Sequence, residues 1–298
     1  MRRRTDSPAA GVVIVHFGDP TPTLRCLASV VEDPSPLFRR VVVVDNSGTF
    51  PCDASAGATV VRLPHNPGYG AGANAGAAAL GEAPLSAIVV LNHDVELLPG
   101  YLAAVGKAVA EEGIGAAGGP LYLGRDGGPL WYAGGHINRL WGTVRQSRSQ
   151  LDARRERDVG YIPGAAVALA PWAWHQVGGF DPAFFLYNED VDLCLRLRRR
   201  GFRLRFVPAA AAIHHLGAAS GSATRSPLYL EHLSRTRLRP FRPFAYRLYL
   251  AGWHTLYVGM RALFWALRGR AGQKQARALL RGHWVALREL KRSGPRQS

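Results

Sequence analysis

Cysteine is scarce in this chain. Cys26, Cys52 and Cys194 are an odd set with no C-x-x-C pair. That argues against a disulfide framework and a zinc site, and it fits a reducing cytoplasm. Carboxylates are also few, 21 against 37 Lys and Arg, which leaves a formal net charge of +16. Such a balance suits a polyanionic partner, whether nucleic acid, an anionic membrane surface or a phosphorylated substrate; a solvated Arg-rich surface explains it equally well. Long apolar runs are missing too. No stretch reaches the roughly 18 uncharged apolar residues of a spanning helix. The nearest approach, 246–267, contains Arg247, His254 and Arg261 and reads as an interfacial or docking helix. The basic residues 1–10 read as a disordered tail. The apolar run behind them, Gly11 to Val15, is too short for a signal-peptide core. No internal repeat is present.

What remains is ample for a packed core: 298 residues, 47% of them hydrophobic, enough for one large α/β domain with an appendage. Short β-branched runs at 11–15, 41–44, 59–63 and 87–91 read as buried strands. Helical spacing between them, at 23–31 and 72–80, makes βαβ units and a mostly parallel sheet. Ligands bind at the carboxyl ends of such strands. His16 and Gly18 follow the first run, Asp45 the second, and Asn92 and Asp94 the fourth. The second half differs. Residues 118–141 look like strand and loop, 146–158 like a mobile polar loop, 161–170 like a strand and 190–200 like a helix stopped by Gly201. From Arg225 onward the chain is Arg- and aromatic-rich with helical spacing.

Four constellations carry chemistry. Asn92-His93-Asp94-Val95-Glu96 ends a strand; its acids suit Mg²⁺ or Mn²⁺, although Asp94 also fits as the cap of a helix starting near Leu97. The segment from Asn66 through Gly68, Tyr69, Gly70 and Gly72 to Asn74 lets backbone approach a phosphate, or is simply a Gly-rich turn. It lacks the third glycine of a dinucleotide fingerprint, since Ala73 stands there, and two strands precede the one it follows. That weakens a nicotinamide-dependent oxidoreductase as the alternative. Glu189, Asp190 and Asp192 open a helix behind the aromatic residues Phe184, Phe185 and Tyr187. The helix dipole alone accounts for acids there, yet a carboxylate aimed into a cleft is also what a general base needs. Aromatics in front of it suit either a sugar platform or the core. Finally, His214 and His215 precede a Gly/Ala/Ser loop and suit a metal or a diphosphate. Charge alone supports a basic nucleic-acid-binding module as a third class.

Taken in order, these segments resemble family 2 glycosyltransferases. The run is Asp45-Asn46-Ser47, Asn66-x-Gly68-Tyr69-Gly70-x-Gly72-x-Asn74, Leu91-Asn92-x-Asp94, Gly164-Ala165, Gly178-Gly179-Phe180-Asp181, Glu189-Asp190-x-Asp192-Leu193 and His215-Leu216-Gly217. Within the family it is most similar to the rhamnosyltransferase-like and galactofuranosyltransferase-like branch, over about residues 11 to 240. The resemblance implies a GT-A fold over 11–224, with a basic amphipathic helical extension over 225–298. It implies a divalent cation and inversion at the anomeric carbon. Asp190, with Glu189, would be the catalytic base. Asp45, the stretch from Asn66 to Asn74, Asn92 and Asp94 would line the donor site, beside His16 and Gly18. Gly164, Ala165, Phe185, Tyr187 and Asp192 fall on the acceptor side. Asp94, His215 and Glu96 would hold the metal, with His214 a rival for His215. Asn92 departs from the pattern by standing where the first acid of D-x-D belongs. The implied partners are a nucleotide-diphospho-sugar donor and a polyprenyl-linked glycan acceptor. Peripheral contact with the anionic inner face of the plasma membrane, or packing on a second copy, would occupy the extension; nucleic acid is not expected.

Overall fold

A computed structural model of the chain describes residues 9–35, 39–51, 57–81, 84–124, 128–215 and 226–292. Of the expected tail, residues 1–8 fall outside these, and Ala9 and Ala10 already belong to the first strand. Cys52 and residues 216–225, with the Leu216-Gly217 end of the last motif, also lie outside them.

Strand β1 (Ala9–His16) is buried along its whole length. It is followed by helix α1 (Pro20–Glu32), which Asp19 caps by accepting from the Thr21 amide at 2.9 Å. Then come β2 (Arg39–Asp45), β3 (Thr59–Arg62), α2 (Tyr69–Ala79) and β4 (Leu85–Asn92). The fully apolar strands are those that a sheet covered on both faces requires. Helix α2 is made of small residues because it lies tight on the sheet. A Cβ at Gly76 would stand 2.3 Å from a Val13 methyl.

Next in the chain are β5 (Val95–Leu97), α3 (Tyr101–Val109), β6 (Ile114–Gly118), β7 (Leu121–Leu123), β8 (Leu130–Tyr132), β9 (Gly135–Asn138) and β10 (Thr143–Gln146). The helix expected near Leu97 is therefore a strand, and Asp94 caps no helix; α3 starts at Tyr101 behind Gly100. The expected mobile loop 146–158 is also corrected. It folds as a one-turn helix α4 (Gln150–Ala153) and strand β11 (Arg157–Val159). Its charges are used locally, with Glu156 and Asp158 both pairing with Arg205.

Strand β12 (Ala166–Leu169), α5 (Pro171–Val177), α6 (Glu189–Arg199), β13 (Arg203–Phe206) and β14 (Ala212–His214) complete the sheet region. The large sheet has the order β11-β13-β6-β12-β4-β1-β2-β3, with β12 and β11 antiparallel to the rest. A smaller sheet, β5-β14-β7-β8, sits beside it. Three helices follow: α7 (Pro227–Thr236), α8 (Phe244–Ala266) and α9 (Gly269–Arg292). A Cβ at Gly282 of α9 would stand 2.1 Å from the Glu231 carbonyl of α7, so this glycine permits their close approach.

Candidate active site

The order β4-β1-β2-β3 reverses direction at β1, which opens a crevice at the carboxyl ends of these strands. Register brings the expected residues there together. His16 pairs with Asp45, Val15 with Asn92, and Asp45 with Arg62. Asp45 is fully buried and fully engaged. One oxygen accepts from the amides of Ser47, Gly48 and Thr49, and the other from Phe50 N and Arg62 Nε, each of these two at 3.1 Å. Burial pushes its pKa up, but the donors from Ser47, Phe50, Arg62 and Gly48 outweigh that and hold it below the usual carboxylate range. Asp45 thus shapes the 46–50 turn rather than reaching outward. Arg62 stands in no motif that marks this role. His16 is equally enclosed, with Nδ1 at 2.6 Å from Thr23 Oγ1 and Nε2 at 3.0 Å from Thr49 Oγ1. Gly18 donates its amide to Ser47 Oγ at 2.9 Å.

The Gly-rich segment packs closely against the rest of the chain. Gly68 has φ +97°, and a Cβ there would stand 2.3 Å from the Phe185 carbonyl, which accepts from the Tyr69 amide. Gly70 lies against Phe180, and Gly72 against Asn46. Asn66 Oδ1 accepts from the Gly68 amide at 2.9 Å. Asn74 is bound at both ends to the Phe180 backbone, donating to its carbonyl at 2.8 Å and accepting from its amide at 2.9 Å. The approach at Gly68 is to backbone, and those at Gly70 and Gly72 are to the side chains of Phe180 and Asn46. They lock the segment 180–185 onto the N-terminus of α2.

Beyond β4, Asp94 is buried. His214 Nε2 lies 3.2 Å from its Oδ1, while both ring nitrogens of His214 are buried without a hydrogen-bond partner. The approach is close but lacks hydrogen-bond alignment. His215 instead turns to Glu96, Nε2 to Oε2 at 2.9 Å, and its amide donates to the Asp94 carbonyl. The expected set of Asp94, Glu96 and His215 is therefore two separate pairs. Alternation along β14 sends His214 and His215 to opposite faces, and Asp94, in the turn before β5, lies outside the alternation of that strand.

Helix α6 begins at Glu189. Tyr187 and Asn188 before it are the non-glycine residues with positive φ among the described residues, at 66° and 67°. Backbone held in this region marks a place that the surroundings over-determine. Here α7 provides the hold: Asn188 Nδ2 donates to Thr236 Oγ1 at 2.8 Å, and Thr236 Oγ1 donates to the Tyr187 carbonyl at 2.9 Å. Asp190 Oδ2 accepts from the Tyr161 hydroxyl at 2.6 Å and the Gly164 amide at 3.1 Å. Burial raises the Asp190 pKa against these donors. Burial, then Asp190, raises that of Glu189, whose Oε2 is sealed without a partner. The Tyr69 hydroxyl donates to the Gly164 carbonyl at 2.7 Å. Burial, then the charges of Glu189, Asp190 and Asp94, push its pKa well up, so acids from both sides act on one phenol. Tyr161 was hidden in the sequence as the first residue of an apolar run.

The acceptor-side residues divide. Gly164 is the amide donor to Asp190, and the Ala165 carbonyl accepts from the Asn92 amide at 2.9 Å. Phe184 is core. Phe185 stacks on His232 at 5.2 Å, and Tyr187 meets Tyr229 edge-on at 4.8 Å, both partners coming from α7. Asp192 does not face the crevice group. It pairs with Arg196 at 2.6 Å, and that guanidinium donates to the Val177 and Gly179 carbonyls.

The family model described as Glycosyltransferase like family 2 matches residues 8–240. The chain is a family 2 glycosyltransferase. This family 2 enzyme is 30% identical over 296 residues to N-acetylglucosaminyl-diphospho-decaprenol L-rhamnosyltransferase of Mycobacterium tuberculosis, covering 86% of each chain. Its fold is that of the mannosyltransferase PcManGT from Pyrobaculum calidifontis in complex with GDP-Man and Mn²⁺. The TM-score is 0.56 at 15% identity, over 98% of this chain and 77% of that one. GalNAc-T7 with UDP, GalNAc and Mn²⁺ matches at TM-score 0.58 and 13% identity, over 78% of this chain and 48% of that one, so the family 2 chain spans about half its length. The α/β architecture is thus GT-A.

Proposed function

We propose that this enzyme transfers a deoxyhexose such as rhamnose, with inversion and with a divalent cation, from a nucleotide diphosphate to a hydroxyl of a lipid-linked glycan. The observation that carries the reading is the placement of Asp190, whose Oδ2 is fixed by the Tyr161 hydroxyl and the Gly164 amide beside the end of β4. The rhamnosyl and diphospho-decaprenol parts of the mycobacterial relative's name support the donor and acceptor classes. Galactofuranose is the second donor that the branch resemblance supports.

Asp94 and His214 fit a divalent cation. A buried imidazole with two orphaned nitrogens faces a carboxylate, and both are ligands such ions accept. Among the described residues no three His, Cys, Asp or Glu form a metal-holding group. That suits Mg²⁺ or Mn²⁺, which take one or two protein ligands when substrate phosphates complete the shell. When bound, the ion neutralises charge on the diphosphate leaving group. His215, paired with Glu96, braces the β5–β14 edge.

The remaining chemistry belongs to α6. Asp190 takes the acceptor proton as the hydroxyl oxygen attacks the anomeric carbon opposite the diphosphate. Burial raises its basicity, which suits a base working near neutral pH. Burial raises the pKa of both carboxyls of the pair; Glu189, whose buried Oε2 has no donor, holds the proton, and Asp190, which accepts from Tyr161 and Gly164, is the one left ionised. Calorimetric titration of UDP and dTDP, with and without Mn²⁺, tests the donor side. Metal-dependent binding should disappear in Asp94→Ala and His214→Ala and persist in His215→Ala. Binding untouched in His214→Ala but lost in His215→Ala would reverse the assignment.

A further inference from the structure

Helix α8 is apolar on both faces, with Leu250, Ala251, Val258, Ala262 and Trp265 on the buried one. Its buried face includes Arg247 and His254, at 6% and 3% exposure. Its outward face is a continuous apolar stripe of Tyr249, Trp253, Leu256, Met260 and Leu263, reaching Leu267 at the C-cap, with exposures from 41% to 79%. At 100° per residue these six positions fall within a sector of about 80°, and no charged residue interrupts it. A surface helix in water places its polar side outward, so this stripe faces something other than water.

A second element joins the patch. The turn between β9 and β10 exposes Leu140 and Trp141, and the Trp141 ring meets Trp253 at 4.4 Å. The helical segment that carries the stripe is cationic. Between Ser226 and Arg292 there are fourteen Arg and Lys against two acids, Glu231 and Glu289. Both acids are engaged within the bundle, Glu231 by Arg281 and Glu289 by Arg235 and Arg239. This segment therefore holds most of the chain's net charge of +16. The Arg268 guanidinium lies over the exposed Phe264 ring at 4.0 Å, and Arg270 and Lys274 line a shallow hollow just past the stripe.

We infer that the α8 stripe, with the Leu140-Trp141 turn, is a docking surface for an anionic lipid bilayer. Apolar side chains enter the acyl boundary while Arg and Lys of the segment meet phosphate headgroups. No helix among the described residues is long and apolar enough to cross a membrane, and the buried Arg247 and His254 keep α8 lying in the interface. Charge complementarity selects lipid over a second copy, because a two-fold contact would set two like-charged segments against each other. The surface is tied to the reaction centre through α7, which packs against α9 at Gly282 and holds the Tyr187-Asn188 backbone before Asp190. Docking would thus set the height of the acceptor side above the bilayer.

The test is flotation of the full chain with vesicles of phosphatidylcholine alone and of phosphatidylcholine with phosphatidylglycerol. Wild type should float with the anionic vesicles and Trp fluorescence should shift blue. Leu256→Glu/Met260→Glu/Leu263→Glu, all at exposed positions, should weaken binding by at least about tenfold while nucleotide-diphosphate titration stays at the wild-type value. That titration separates failure of this surface from failure of the donor reading. Undiminished flotation of the triple variant overturns the proposal. So does a wild-type dimer that the variant converts to monomer with no vesicle binding by either protein.

Discussion

Asp45 at the sheet edge and Arg247 in α8 are both ionisable groups sealed from solvent. Around Asp45 the chain supplies four backbone amides, a serine hydroxyl and a guanidinium. Around Arg247 the Nε finds no partner, and burial, then Arg242 and Arg239, pulls its pKa down. The first region holds a shape: every donor of a tight turn converges on one carboxylate, which fixes the loop beside the crevice. The second tolerates an uncomfortable interior, which makes sense where the opposite face of the helix is committed to an apolar partner. Burial is matched by donors around Asp45 and is left unmatched around Arg247.

The largest expected effect falls on the first region. Asp45→Ala leaves those amides and Arg62 without their acceptor and should destabilise the fold by about 3–5 kcal/mol, read as a lower urea midpoint. A loss below about 1 kcal/mol would mean that the turn holds without its hub. Next comes Tyr161→Phe. The phenol lowers the Asp190 pKa against burial, so its removal raises that pKa further. The base must be ionised, so the acidic limb of kcat/KM should move to higher pH by about one unit. An unmoved limb would detach Tyr161 from the base. The smallest effect, of opposite sign, belongs to α8. Arg247→Met should be neutral or stabilising by about 1 kcal/mol, because it removes a poorly matched buried charge at similar volume. Marked destabilisation would place Arg247 among the satisfied groups and erase the contrast.

Much of the sheet was legible because apolar runs ending in Asp or Asn are what buried parallel strands with a ligand edge look like. Asp45, Asn92 and Asp94 stand at that edge. The partners of the motif residues were not legible, because they lie far away in sequence. Asn74 binds Phe180, Gly68 meets Phe185, and Asp190 is held by Tyr161. Spacing alone reads glycines as room for a phosphate; only the fold reveals the Phe185 backbone and the Phe180 and Asn46 side chains against them. The choice between His214 and His215 depends on which face of β14 each occupies, which adjacent letters do not specify. The Gln146–Asp158 stretch looked unstructured because its charges find their counter-ion, Arg205, about fifty residues later. Helix α8 showed its Arg and His in sequence, but not that they point inward.

The central claim is that Asp190 is the base of the transfer, and turnover and dTDP affinity of Asp190→Asn, measured side by side with a dTDP-rhamnose donor, test it most directly. The account predicts that turnover falls by about 10²–10⁴-fold with dTDP affinity unchanged. Near-normal turnover by Asp190→Asn would contradict it.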